Sequence, residues 1–262
     1  MTALALVVAA ALAASPAPSA APSAPAPAAP APPDGIYVYD LMVAGQPSTS
    51  TIKVKREADG IHITEDSDIS SHAVTAALVL NASSLAPMSY AATYDVGTSH
   101  PQDISISFGA NAAHVSTFGL VTTLAAQSGA PHLVLLDGAM PSGFFMLPAA
   151  SAAARDASLT AINAGALTAN VVSLNRSLSL PRPASVPAGD VAVSVLAPTA
   201  FSVWYDPKTF VMHELDVPLQ NVVERFVKYV AAAMAPSAVA IAHRGEHRRD
   251  ARHSAAVMIA RH

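Results

Sequence analysis

The sequence predicts a mainly β protein, folded as a single antiparallel sheet domain with one internal helix and one C-terminal helix. Stretches that alternate charged and apolar residues recur after Asp34, and clusters of Gly, Pro, Asn and Ser separate them. Such alternation is typical of strands with one solvated and one buried face. Only two stretches have helical character, and the roughly 229 residues from Asp34 onward are enough for one sizeable core.

The start of the domain illustrates the strand pattern. Residues 36–43 form a β-prone run, and residues 49–57 alternate charged with apolar side chains. Asp59-Gly60 is a strong hairpin signal, and residues 61–65 are predicted to form the second strand of that hairpin. We therefore expect an antiparallel meander here and eleven or twelve strands along the whole domain.

Two segments interrupt this pattern. Residues 142–156 carry Phe144, Phe145 and Leu147 before an alanine-rich turn, and we expect Pro148 to kink or split this helix. Residues 219–234 place Val222, Phe226, Tyr229 and Val230 at helical spacing. The second segment is therefore predicted to be the C-terminal helix.

The N-terminal region has the order of an exported protein. Residues 1–20 hold an apolar run too short to span a bilayer, followed by the A-x-A sequence Ala11-Leu12-Ala13, which is typical of a signal peptide. Residues 16–33 contain only Pro, Ala and Ser, and eight of them are Pro, which predicts an extended linker. We expect a bacterial protein that is periplasmic or secreted, with the folded domain at residues 34–234.

Charge is distributed unevenly along the chain. Residues 34–234 carry nine Lys and Arg against sixteen Asp and Glu, which argues against a nucleic acid partner. Residues 235–262 are basic and predict a disordered tail. No later segment is long and apolar enough to predict a transmembrane helix, and the absence of cysteine excludes disulfides.

The sequence gives no convincing catalytic, metal or cofactor motif. His243-Arg244-Gly245-Glu246-His247 has the spacing of an inverted zinc-peptidase signature. Gly245 weakens the helix that this chemistry needs, and a third ligand downstream is hard to find. We therefore predict no catalytic residue, no metal and no cofactor.

A family resemblance accompanies these features. Gly35-Ile36-Tyr37-Val38-Tyr39 and the Gly45 turn open the domain, and Trp204-Tyr205-Asp206-Pro207 stands near its end. In layout, residues 34–217 resemble uncharacterised exported bacterial β-sheet proteins of the lipoprotein-carrier type. The resemblance implies a sheet curved into a half-barrel or open barrel around a short helix, able to shelter an acyl chain.

These observations lead to three functional hypotheses. The first is a non-enzymatic binding protein for a lipid or other apolar or amphiphilic ligand, with five candidate ligand-binding residues: Trp204, Tyr205, Phe144, Phe145 and His213. The second is an exported hydrolase whose groups converge only in the fold, with Asp137, His132 and His213 as candidates. The third is a scaffold domain without a small ligand. A wide apolar groove would favour the first, a polar cleft the second and a filled core the third.

Overall fold

The computed structural model describes residues 29–69, 72–95, 102–117, 119–137, 141–176, 180–197 and 199–232. Within them the chain forms one large, mostly antiparallel open sheet and one α-helix. The prediction of a mainly β protein with an internal helix is therefore confirmed. The predicted signal peptide, the basic tail with its His243–His247 motif, and most of the linker lie outside the described residues.

Fifteen strands make up the sheet, more than the eleven or twelve expected. Their bounds are β1 (Gly35–Val43), β2 (Gln46–Arg56), β3 (Ile61–Ile69), β4 (His72–Leu80), β5 (Pro87–Tyr94), β6 (Gln102–Phe108), β7 (Ala112–Thr117), β8 (Leu120–Ala125), β9 (Leu133–Leu135), β10 (Ser158–Asn163), β11 (Thr168–Asn175), β12 (Val191–Val195), β13 (Phe201–Tyr205), β14 (Met212–Val217) and β15 (Val222–Ala231).

The strands follow one another in space almost as they do in sequence. The order runs from β8 down to β1, continues with β15 and then descends to β9. Every pair is antiparallel except β9 and β10, which are parallel because the helix α1 (Pro141–Ala154) connects them as a crossover. Hairpins therefore build two meanders, as the sequence predicts for the first three strands.

The two meanders join where the first strand meets the last. β1 and β15 pair along their whole lengths, from Gly35 opposite Ala231 to Val43 opposite Val222. The register shifts between Val38 and Tyr39, where β15 contains an additional residue. This seam converts two locally connected halves into one sheet.

One face of the sheet forms the core. Alternate residues on β1 to β4 are buried, as the period of two requires. The buried set on these strands includes Tyr37, Tyr39, Leu41, Ile52, Val54, Ile61, Ile63, Val74 and Leu78.

Helix α1 packs against this face. Residues 142–149 are buried without interruption, and neither its first nor its last turn carries a charged residue. A helix that is apolar on all sides belongs in an interior. Gly143 lies so close to β9 that an added Cβ would sit 2.4 Å from the Leu135 carbonyl oxygen. Because α1 contacts β3, β9, β13 and β14, which are distant in strand order, the sheet bends around it.

The predicted C-terminal helix at residues 219–234 is wrong. A short 3-10 turn (Pro218–Gln220) is followed by strand β15, which pairs with both β1 and β14. The stripe formed by Val222, Phe226, Tyr229 and Val230 fits a helix. The segment is nevertheless rich in β-branched and aromatic residues, which favour strands, and two neighbouring strands supply its backbone partners.

Of the two effects expected of Pro148, the split does not occur, because α1 continues through this residue to Ala154. The burial of residues 142–149 on all sides stabilises a helix that has lost one backbone hydrogen bond. Among the described residues, no helix has both the length and the apolar character needed to cross a membrane.

Candidate functional site

A groove of about 400 Å³ lies beside the C-terminal half of α1, and we call it the α1 groove. Its apolar lining combines the turn after β4, strand β9, strand β10 and the helix. The lining side chains that matter most here are Leu85, Leu133, Val134, Ala150, Ala153 and Leu159. The volume lies within the ordinary range of small-molecule sites, about 300–1,000 Å³.

The alanines of α1 explain why there is space at this end. The first half of the helix fills the interior with Phe144, Phe145 and Leu147, all buried. After Pro148, most side chains are methyl groups, from Ala149 to Ala154. A helix packed at a constant distance from a sheet leaves a hollow where its side chains are small.

A rigid turn forms one side of the groove. The Asn81 side-chain oxygen accepts hydrogen bonds from the backbone N–H groups of Ser83 and Ser84 at 2.9 and 3.0 Å. The Leu85 N–H donates to the Asn81 carbonyl at 2.9 Å, and Leu85 adopts a φ of 58°. This Asx turn holds an apolar side chain against the core in a backbone conformation that leucine rarely adopts.

The rim of the groove carries polar groups. His132 Nε2 lies 3.1 Å from Asp156 Oδ2, with both side chains substantially exposed. Arg155 follows the helix at a φ of 59° and is exposed. Arg176 donates to the carbonyl oxygens of Ser151 and Asp156, so it caps the end of the helix. The groove thus combines an apolar floor with the Arg155 side chain at its mouth, which has no ion pair among the described residues.

The N-terminal side of the groove is formed by residues 29–33, which we call the strap. Ala29 and Pro30 line the groove, and Pro32 is buried. Arg56 donates to the carbonyl oxygens of Ala31 and Pro32 at 3.1 and 3.0 Å. The last part of the predicted linker therefore lies against the domain.

A second feature is a pair of buried carboxyl groups on the inner face. Glu65 on β3 is fully buried and accepts hydrogen bonds from Ser67 Oγ at 2.6 Å and from the Ser142 N–H at 2.8 Å. The carboxyl group thus lies at the N-terminus of α1, where partial positive charge accumulates. Burial nevertheless raises its pKa, against the opposing effect of these hydrogen bonds.

Glu224 on β15 lacks the hydrogen bonds that Glu65 accepts, among the described residues. It is 0 % exposed, and neither carboxyl oxygen has a hydrogen-bond partner within the described part of the chain. Ser50 lies close enough to lower the pKa slightly but does not reach hydrogen-bond geometry. Burial, assisted by the nearby Glu65, raises the pKa of Glu224 well above its usual value. Burial therefore favours the protonated, neutral form of this carboxyl group.

The candidate ligand-binding residues are dispersed. Phe145 packs against Tyr37 and Tyr39 with ring centroids 5.1 and 6.2 Å apart. Phe144 packs edge-on against Phe201, beside a cavity of only about 90 Å³. That cavity has room for a few waters at most.

Trp204, Tyr205 and His213 lie elsewhere. Trp204 and Tyr205 are buried on β13, and the Tyr205 ring stacks on Phe210. His213 Nδ1 lies 2.6 Å from Asp190 Oδ2. None of the five candidates lines the α1 groove.

The hydrolase candidates each have a different partner. Asp137 accepts a hydrogen bond from the Gly165 N–H at 3.0 Å, near the start of α1. His132 pairs with Asp156, and His213 pairs with Asp190. The structure thus gives these three residues no shared contact in the part of the chain it describes.

One group of possible metal ligands occurs among the described residues. Glu57, Asp59 and His62 lie together at the β2–β3 hairpin. Lys55 Nζ lies 2.6 Å from Glu57 Oε1, and both acidic side chains are exposed. The Lys55 ammonium group would compete with a metal ion for Glu57, and both acidic side chains are accessible to water. We therefore interpret this group as a cluster of surface ion pairs.

Sequence reasoning missed the residues that now stand out. Glu65 continues the inward series of Ile61 and Ile63, so its buried position was readable from the period of two. Arg56 and the alanines of α1 gave no comparable signal. Their importance depends on contacts with segments distant in the sequence.

Comparisons with known proteins identify no family. No family model matches this chain, and no curated protein matches it. One solved structure that resembles it is a β-barrel-like protein of a domain of unknown function from Brucella abortus. The likeness has a TM-score of 0.45 at 10 % sequence identity and covers 78 % of this chain and 100 % of that chain. No residue or function is transferred from it.

Proposed function

We propose that this protein is an exported, non-enzymatic binding protein that holds an apolar or amphiphilic ligand in the α1 groove. In this proposal the sheet acts as a half-barrel around α1, and the ligand lies at the open end beside the helix. The observation that carries it is the groove itself, which combines about 400 Å³ of space with an apolar lining. Burial of alkyl groups there would contribute about 25 cal/mol per Å² of apolar surface.

The rim favours an anionic amphiphile over a neutral one. The Arg155 side chain stands at the mouth without a hydrogen bond or ion pair among the described residues, whereas the Asp156 carboxylate is already beside His132. A fatty acid would place its chain along Leu85, Leu133 and Leu159 and its carboxylate near Arg155. Partly exposed charge pairs are weak, so the chain supplies most of the affinity.

Other hollows are less suitable. Two depressions of about 540 and 530 Å³ lie along the strands, and their walls include carboxylates such as Asp40, Asp68 and Asp103. Such walls disfavour an apolar ligand because binding would desolvate charged groups.

Mass spectrometry of organic extracts from the purified full chain tests the proposal. The expected result is a stoichiometric amphiphile that is depleted in the Ala153→Leu variant, whose added side chain reduces the groove volume. Ala77→Leu, at an exposed site on β4, is the matched control and should retain the ligand. A protein without ligand whose melting temperature is also unchanged across a fatty acid panel would contradict the proposal.

A scaffold role is the second candidate. Phe144 and Phe145 fill the face of the sheet at the start of α1, and the cavity beside Phe144 is only about 90 Å³. That interior needs no ligand for its packing. The same extraction distinguishes the two functions, since a scaffold would yield an empty α1 groove.

A further inference from the structure

The strap is fixed to the domain by one side chain in particular. The Arg56 guanidinium donates to the carbonyl oxygens of Ala31 and Pro32 and forms a 2.6 Å ion pair with Asp34 Oδ1. The Arg56 N–H also donates to Asp34 Oδ2 at 3.0 Å. Tyr37 adds a 2.6 Å hydrogen bond from its hydroxyl group to the Pro33 carbonyl. A proline-rich segment has few N–H groups, so its carbonyl oxygens need donors of this kind.

The other end of the strap is part of the α1 groove. Ala29 and Pro30 face the wall formed by Ala153 and Ala154 on the helix. Ala29 and Ala31 also pack against the edge of the core. The groove therefore has three walls built from strands, turn and helix, and a fourth that depends on Arg56.

We propose that the strap is a ligand-coupled latch: docking of residues 29–33 through Arg56 completes the groove, and a bound amphiphile in turn holds the strap closed. This inference rests on the proposed function of the groove. Its physical basis is linkage, because a ligand that contacts the docked strap must stabilise docking by the same factor by which docking improves binding. Occupancy of the groove would then be transmitted to the N-terminal segment.

The composition of the strap suits such a latch. Proline restricts the undocked chain, so less conformational entropy is lost on docking than for an ordinary loop. The Arg56 side chain is 38 % exposed, so its ion pair with Asp34 is screened and contributes little by itself. A weakly held segment can respond to a ligand, whereas a permanently buried one cannot.

Two measurements on the full chain test the latch. The first is the dissociation constant of dodecanoate for the wild type, Arg56→Ala and Arg56→Lys. Typical coupling factors are about 5 to 150, so we expect at least about fivefold weaker binding in Arg56→Ala. Arg56→Lys should have an intermediate affinity, because an ammonium group cannot reproduce the fixed arrangement of N–H donors on the planar guanidinium group. Arg182→Ala, which removes a hydrogen bond to the Ala188 carbonyl in another loop, is the matched control and should bind normally.

The second measurement reports the strap directly. The chain has no cysteine, so Ala29→Cys introduces a single thiol whose reaction rate with a maleimide measures exposure. We expect dodecanoate to slow this reaction at least about fivefold and to have no such effect when Arg56→Ala is added. The double variant Ala29→Cys/Arg56→Ala should also react faster with the maleimide than Ala29→Cys alone, even without ligand.

The outcomes separate the two proposals. If wild type binds dodecanoate and Arg56→Ala binds it equally well, the latch is excluded while the binding function stands. If wild type binds no member of a fatty acid panel, the binding function fails and the latch fails with it. The thiol reaction without ligand would then still show whether Arg56 holds the strap.

Discussion

The Tyr39 hydroxyl group donates a 2.9 Å hydrogen bond to the Met212 carbonyl oxygen, and thereby connects two residues that lie 173 positions apart. β14 pairs with β15 only as far as Glu214 opposite Arg225, although both strands continue. Beyond that point, Tyr39 reaches from β1 to β14 and supplies a hydrogen-bond donor to the carbonyl group of Met212, which has no partner on β15. One side chain thus connects β1 to β14 beyond the point where the pairing of β14 with β15 ends.

Removing this hydroxyl group should destabilise the whole domain. In Tyr39→Phe, the buried Met212 carbonyl loses its donor, which we expect to lower the free energy of unfolding by about 1–3 kcal/mol. Urea unfolding followed by Trp204 fluorescence measures the change. Tyr94→Phe, whose hydroxyl group has no hydrogen bond among the described residues, should change it by less than about 0.5 kcal/mol. Equal values for both variants would rule out a special role for the Tyr39 bond.

Glu224 should make stability depend on pH. Its pKa is raised in the folded protein, whereas in the unfolded chain it is about 4.3. Above that value the unfolded state loses the proton first, so stability is fully present below about pH 4 and declines as the pH rises toward the folded pKa. Thermal unfolding between pH 4 and pH 9 should therefore show a fall on the alkaline side.

The Glu224→Gln variant should remove most of this fall, because an amide cannot ionise. At pH 8 it should melt at a higher temperature than the wild type, and the difference should disappear near pH 4. Glu57→Gln, at an exposed position on the β2–β3 hairpin, is the control. Because Lys55 lowers the pKa of Glu57, this substitution should leave the fall on the alkaline side unchanged. A Glu224→Gln profile parallel to that of the wild type would mean that another group governs the dependence. Glu65, whose pKa is raised by burial as well, would be examined next.

Arg155 should discriminate between ligand headgroups. We expect Arg155→Ala to weaken dodecanoate binding by a factor of about 2 to 5, in line with about 0.5–1 kcal/mol for an exposed pair. Binding of dodecanol, which has the same chain without the charge, should be unaffected. Fluorescence displacement with both ligands provides the comparison. An equal loss for both would place Arg155 in the apolar wall and not at the headgroup.

How much of this could be predicted depends on the range of each interaction. The period of two along residues such as Ile61 and Ile63 is a local signal, so the strands and their buried face were predictable. The spacing of Val222, Phe226 and Tyr229 is also local, but it fits a helix as well as a bulged strand. The choice was made by pairing with β1, some 190 residues away, which no local pattern reveals.

The candidate site was harder to predict for the same reason. Aromatic residues drew attention to Phe144 and Trp204, yet aromatic side chains fill interiors and leave little free space. The α1 groove exists because Ala150 and Ala153 are small, and small residues carry no chemical signature in a sequence already rich in alanine. The strap became relevant only through Arg56, which contacts it from the second strand.

Titration calorimetry of dodecanoate into the full chain and into Ala153→Leu tests the central claim most directly. We predict saturable binding of one ligand to the wild type, with a negative heat-capacity change from burial of apolar surface, and at least about tenfold weaker binding to Ala153→Leu. Ala77→Leu should match the wild type. Equal affinity in all three proteins, or no saturable heat in any of them, would contradict ligand binding in the α1 groove.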